Sequence, residues 1–360
     1  MSIKASGEIF KNGHIPSLDG FRMISICLVI FSHLILRSQN PYLLNLQFNL
    51  GQFGILGVRI FFIISGFLIT FLLLKEKAKT GTVNLRYFYI RRILRIFPVF
   101  FLYLIALHTL NHFLNLNIPL SNFLGAALFI QNFGIWGDNW YLAHTWSLAV
   151  EEQFYIAWPI IFLFVPVATL KRKRVLCFVL MLGIFMRSFH YKFPDIADYF
   201  LAEFIMYADF LFAGCYIACL QFYNRQTVVD FINNISPKLV YISILAICIF
   251  TLFEFHPIYD KVFIPLSGTV ILICVSFLLI YFTVREKSPG FRLLNLPVVI
   301  FIGQLSYSLY LWQQLFFGNT GLWLNEAPEN IVMIFIVALF SYYVVEKPIL
   351  KIREKFRPTQ

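Results

Sequence analysis

The 360-residue sequence is poor in charge. Asp, Glu, Lys and Arg make up only 13% of it, with 18 acidic residues in all, against 59% hydrophobic residues. A soluble domain usually has roughly a quarter of its residues charged. This shortage, together with a mean hydropathy of +0.76, excludes an ordinary water-soluble fold. The chain also lacks any C-x-x-C pair: its cysteines at 27, 177, 215, 219, 248 and 274 all lie inside apolar runs. They read as small hydrophobes, so neither disulfides nor a metal site is expected. Internal repeats, low-complexity tracts and polar stretches long enough for a soluble domain are missing. The first apolar run, near Leu18, has no small-residue cleavage motif after it and reads as a permanent span rather than a leader.

What the sequence has is apolar runs of membrane-crossing length. Ten are found, at 18–36, 58–74, 93–110, 146–165, 175–189, 201–222, 239–255, 262–284, 298–317 and 331–345. An eleventh apolar piece, 123–133, is too short to span and reads as re-entrant or interfacial. The net charge of +11 would suit a nucleic-acid binder only on a folded aqueous face, but the basic residues sit in short loops. With the N-terminus inside, the inner loops carry 23 of the 29 Lys and Arg residues; the outer ones carry only Arg37, Lys192 and Lys261. That asymmetry favours ten spans with both termini cytoplasmic, because an extra crossing at 123–133 would place the 171–174 basic cluster outside. The expected fold is thus an all-α polytopic bundle forming one membrane domain over residues 1–360.

Polar residues inside the spans are the candidates for function. Arg22 and His33 are eleven residues apart, about three helical turns, and so share one face of the first span some ~16 Å apart. The assumed topology puts Arg22 near the inner face and brings His33, Glu151, Glu152 and Arg59 to similar depth in the outer half. Such a group suits proton abstraction from a hydroxyl, with a carboxylate orienting the imidazole. Bundle ion pairing fits the same residues, while Arg187, Glu203 and Asp209 suit either bundle ion pairs or an acceptor groove. Arg91-Arg-Ile-Leu-Arg95 opens the third span, and Arg92 and Arg95 at i, i+3 can grip a phosphate, although a plain cytosolic anchor explains them too. The outer segment 111–145 holds Trp136, Trp140, Tyr141 and His144 and can cover a site opening outward.

Five stretches, in order, resemble the membrane-bound acyltransferase family 3: Leu18-Asp-Gly-Phe-Arg22 through His33; residues 57–70 (GVRIFFIISGFLIT); Arg92-x-x-Arg95; residues 145–155 (TWSLAVEEQFY) with Trp158-Pro159; and residues 306–312 (SYSLYLW). The resemblance covers nearly the whole chain. It implies an O-acyltransferase of the bacterial inner membrane that moves an acyl group, commonly acetyl from acetyl-CoA, to a sugar hydroxyl of a cell-surface glycan. It also implies that His33 and Arg22 are catalytic, that Glu151 or Glu152 supplies the acidic group, and that Arg92 and Arg95, with Arg91 beside them, bind the donor. Gln313 stands where relatives often have His, so no acid/base role is assigned there. Some members add an extracellular hydrolase-like domain, for which no room is expected before Gln360. The rival readings are a proton-coupled transporter or flippase, which the missing internal repeat disfavours, and an assembly scaffold.

Overall fold

The computed structural model describes residues 15–37, 47–136, 139–165, 173–193, 202–254, 260–318 and 323–356, which are helical and contain no strand. Five helices build the N-terminal half: α1 (Leu18–Arg37), α2 (Gln47–Thr80), α3 (Leu85–Leu114), the short α4 (Leu120–Ala127) and the single turn α5 (Trp140–Ala143). There follow α6 (Thr145–Phe164), α7 (Lys173–Lys192), α8 (Ala202–Tyr223), α9 (Arg225–Asn234), α10 (Lys238–Phe253) and α11 (Asp260–Val284). The chain closes with α12 (Pro289–Leu294), α13 (Pro297–Phe316), α14 (Glu329–Ser341) and α15 (Lys347–Arg353). Each of the ten apolar runs falls on one of these helices, with α2 and α3 starting well before theirs.

Among the described residues six stretches are long and apolar enough to cross a membrane: Leu18–Arg37, Leu50–Thr80, Leu85–Leu114, Trp140–Phe164, Pro265–Val284 and Glu329–Phe356. A seventh results if α9 and α10, which meet at 92°, count as one span. The other three expected spans, α7, α8 and α13, carry buried polar side chains, among them Arg187, Asp209 and Gln313. The piece at 123–133 forms only the eight residues of α4 and the turns after it, about 12 Å of helix at most, and does not cross.

The packing is apolar on the outside as well as in the core. Phe164, Tyr241 and Ile105 are 81%, 73% and 65% exposed, which suits contact with lipid and not with water. Arg59, Arg187, Asp209 and Glu254, by contrast, are almost fully enclosed. The hub is α2, whose 34 residues give it a length of about 51 Å and whose Phe62, Ile63, Phe67 and Phe71 are buried. It packs along α1 on one side and α8 on the other. Small residues make that approach possible: a Cβ on Gly66 would collide with the Leu211 carbonyl of α8, and one on Gly214 of α8 with the Ile63 carbonyl of α2. Gly303 brings α13 equally close to the Asp19 carbonyl of α1.

Two local features set the polar interior. Asn84 caps α3 by accepting from the Tyr87 amide at 3.0 Å, and fixes where Arg91, Arg92 and Arg95 leave that helix. Between α14 and α15 the helix widens to a π turn over Tyr342–Glu346, and Glu346 ends up buried. There it accepts a hydrogen bond from Ser308 Oγ of α13 at 3.0 Å.

Candidate active site

Beside the Arg22 end of α1 lies a cleft of about 760 Å³, lined by α1, α2, α3, α6 and α13. Three of its charged side chains are cationic (Arg22, Arg92 and Arg95) and one is a carboxylate, Glu151. Arg22 bonds Asp19 one turn earlier at 2.9 Å, so it lines the cleft and is paired at the same time. Arg92 and Arg95 make no ion pair among the described residues; the Arg92 guanidinium lies over the Tyr155 ring at 5.1 Å and the Phe88 ring at 5.8 Å. Glu151 accepts from Ser65 Oγ at 2.6 Å. The Tyr155 hydroxyl, 2.9 Å from Ser65 Oγ and 3.2 Å from the second Glu151 oxygen, closes the triangle. Two half-buried guanidinia that make no ion pair among the described residues keep donors available for an anion.

Toward the other end of α1, the half-buried His33 sits 2.6 Å through Nδ1 from the Gln313 side-chain oxygen of α13. Gln313 in turn donates to Gln314 Oε1 at 3.2 Å, and Gln314 donates to the Trp140 carbonyl at 2.6 Å. This chain of amides fixes Gln313 with its oxygen toward His33, so Nδ1 carries the proton and Nε2 keeps its lone pair, the tautomer of a general base. Trp140 meets the imidazole edge-on at 5.4 Å, and the Arg37 guanidinium covers the indole at 3.8 Å. His33 therefore lies beneath a lid formed by α5 and the end of α1.

Between the two levels, Tyr310 and Ser147 line the top of the cleft and touch each other, hydroxyl to hydroxyl, at 2.6 Å. Tyr310 also donates to the His144 carbonyl at 2.9 Å. Among the described residues no group of three or more His, Cys, Asp or Glu is suited to a metal ion.

The structure regroups the residues singled out from the sequence. Glu151 is at the level of the arginines, not of His33, and the buried Glu152 lies next to it on α6. The cause is α5: this turn fills the space beside His33, so α6 starts beyond it and Glu151 comes about 9 Å further along. Arg59 is not part of the cluster either, since Glu254 at the end of α10 holds it with two bonds of 2.6 and 2.7 Å. Arg91 points away from the cleft and binds Glu76 at 2.7 Å and the Phe356 carbonyl at 2.7 Å. Arg187 and Asp209, left open between groove and glue, form a 2.8 Å ion pair joined by Thr269. Ser65, Tyr155 and Tyr310 lie inside the family-like stretches but were given no role, Gln313 was set aside, and Glu346 carried no signal.

Comparison with known proteins places these features. Residues 15–345 match the family described as an acyltransferase domain. A proposed O-acetyltransferase of Staphylococcus aureus (strain COL) is 30% identical over 331 residues, covering 84% of this chain and 50% of that protein. The peptidoglycan O-acetyltransferase OatA of Listeria monocytogenes is 27% identical over 380 residues, covering 95% and 57%. YrhL of Bacillus subtilis, a proposed peptidoglycan O-acetyltransferase, is 27% identical over 377 residues, covering 93% and 55%. The chain thus spans about half the length of the curated relatives it matches, and no solved structure matches it.

Proposed function

The chain belongs to this acyltransferase family, and from that premise we propose that it moves an acetyl group from acetyl-CoA in the cytosol to a sugar hydroxyl of an envelope glycan. The observation that carries the reading is the pair of guanidinia, Arg92 and Arg95, which line one cleft with Arg22 and make no ion pair among the described residues, while the same helix α1 presents His33, held by Gln313, three turns beyond Arg22. The donor's phosphates bind Arg92 and Arg95, and its thioester arm runs along α1 toward His33, over about the 16 Å that separates Arg22 from His33.

His33 Nε2 takes the proton of the acceptor hydroxyl, whose oxygen attacks the thioester carbonyl carbon. Collapse breaks the C–S bond, and the CoA thiolate recovers the proton from His33. Gln313 keeps Nε2 turned to the acceptor, while Trp140 and Arg37 shield the imidazole from the outside. Glu151, Ser65 and Tyr155 bound the donor arm. On this reading ten helices cross a bacterial plasma membrane with both termini in the cytosol, and peptidoglycan, the polymer in the names of the Listeria and Bacillus relatives, is the first acceptor to offer.

The test is reconstitution of the purified full chain in liposomes with acetyl-CoA and peptidoglycan oligosaccharides, read by mass spectrometry and by release of free thiol. One added acetyl per acceptor is the expected product, with thermal stabilisation of the protein by CoA but not by inorganic phosphate. Stabilisation by neither, in folded protein that transfers nothing, would remove the reading.

A further inference from the structure

The mechanism above leaves one buried polar side chain at the junction of cleft and base unused. His144 ends α5 and caps α6, with only 4% of its surface exposed, and neither ring nitrogen makes a hydrogen bond of good geometry, although the Leu311 carbonyl comes close. Its neighbours hold the ring without occupying it: Tyr103 and Tyr310 meet it edge-on, both at 5.5 Å. The hydroxyls of Ser147 and Tyr310 bond the His144 backbone carbonyl, not the imidazole, at 3.2 and 2.9 Å. Ser147 and Tyr310 also line the top of the cleft, and His33 lies within electrostatic range of the ring. An enclosed imidazole with no well-formed hydrogen bond, packed against Tyr310 of the cleft wall and within electrostatic range of His33, has the form of a donor kept for an oxygen that arrives with substrate.

We propose that His144 is a second catalytic histidine, whose N–H receives the acyl carbonyl oxygen as negative charge develops on it during attack by the hydroxyl that His33 deprotonates. The proton and leaving group follow the course already given: the hydroxyl proton goes to His33 and on to the CoA thiolate, and the His144 proton stays on its ring throughout. The proposal rests on the acyl-transfer reading and adds to it the group that faces the oxyanion. One of the ring nitrogens carries a proton in either neutral tautomer, so no ionisation is required of it.

The test compares His144→Phe and His144→Gln in the reconstituted full chain. The phenylalanine fills the aromatic pocket but offers no donor, and should lower kcat by about 10²–10³-fold while KM for acetyl-CoA and stabilisation by CoA stay as in the wild type. The glutamine keeps an N–H and should recover about tenfold or more over the phenylalanine variant. Wild-type kcat in His144→Phe would overturn the proposal, as would a glutamine variant no faster than the phenylalanine one. Should the phenylalanine prevent folding, His144→Leu takes its place with the same two outcomes. A wild-type protein that transfers nothing fails the reading beneath, whereas a wild type that transfers beside an equally active His144→Phe fails this proposal alone.

Discussion

The two sides of α2 handle buried charge in opposite ways. On the α8, α10 and α11 side every enclosed charge described here is matched: Arg59 holds Glu254 with both nitrogens, and Arg187 is shared between Asp209 and Thr269. On the α1, α3 and α13 side, Arg92 and Arg95 make no ion pair among the described residues, and His144 has no well-formed hydrogen bond. Matched charges tie helices together and leave nothing for a ligand, while unmatched ones raise the energy of the empty protein and lower it when an anion arrives. The difference separates the part of the bundle that is scaffold from the part that works.

Substitution on each side should break that contrast in its own way. The largest effect is expected from Glu254→Ala, which leaves Arg59 enclosed and unpaired at a cost of about 3–5 kcal/mol; it is read as lost folded yield and a lower Tm. Next comes His33→Ala, which should reduce kcat by about 10²–10⁴-fold with the Tm and its rise on CoA binding unchanged. Arg92→Ala is expected to weaken CoA binding by about tenfold to a hundredfold, as loss of one charge-assisted hydrogen bond of about 1.5–3 kcal/mol does, seen by titration calorimetry. Arg92 makes no short ion pair but lies within electrostatic range of the buried Glu152 and of Glu151, so its removal should lower the Tm of the unliganded protein by less than Glu254→Ala does. The smallest effect belongs to Gln313→Ala, which frees His33 to rotate and should cost about tenfold in kcat, the worth of one hydrogen bond.

Much of this bundle was legible in the sequence because the forces that set it are local. Apolar runs of spanning length fix helices in a bilayer, and each of the ten runs lies on a helix. The shared face of Arg22 and His33 follows from helix periodicity alone. Depth was harder to read. Hydropathy does not register that the aromatic turn Trp140–Ala143 tucks in beside His33, so Glu151 was assigned to the depth of His33 and not to that of the arginines. Pairing was not legible at all: nothing in the spacing of Arg59 and Glu254, or of Ser308 and Glu346, announces contacts across almost two hundred residues or around a π turn. Gln313 was set aside because it cannot exchange a proton at neutral pH, yet its amide oxygen aims the histidine that can.

The π turn at Tyr342–Glu346 also has a genetic meaning. Such a turn holds one residue more than an α-helix would use for the same rise, which makes it equivalent to a single-codon insertion absorbed within a continuous helix. Removing one of its codons would restore the regular winding and turn everything after it by about 100°. Glu346 would then swing off Ser308, and α15 would turn away from α3, against which it now packs. The reading frame would survive such a deletion, but the packing of the last helix on α3 would not.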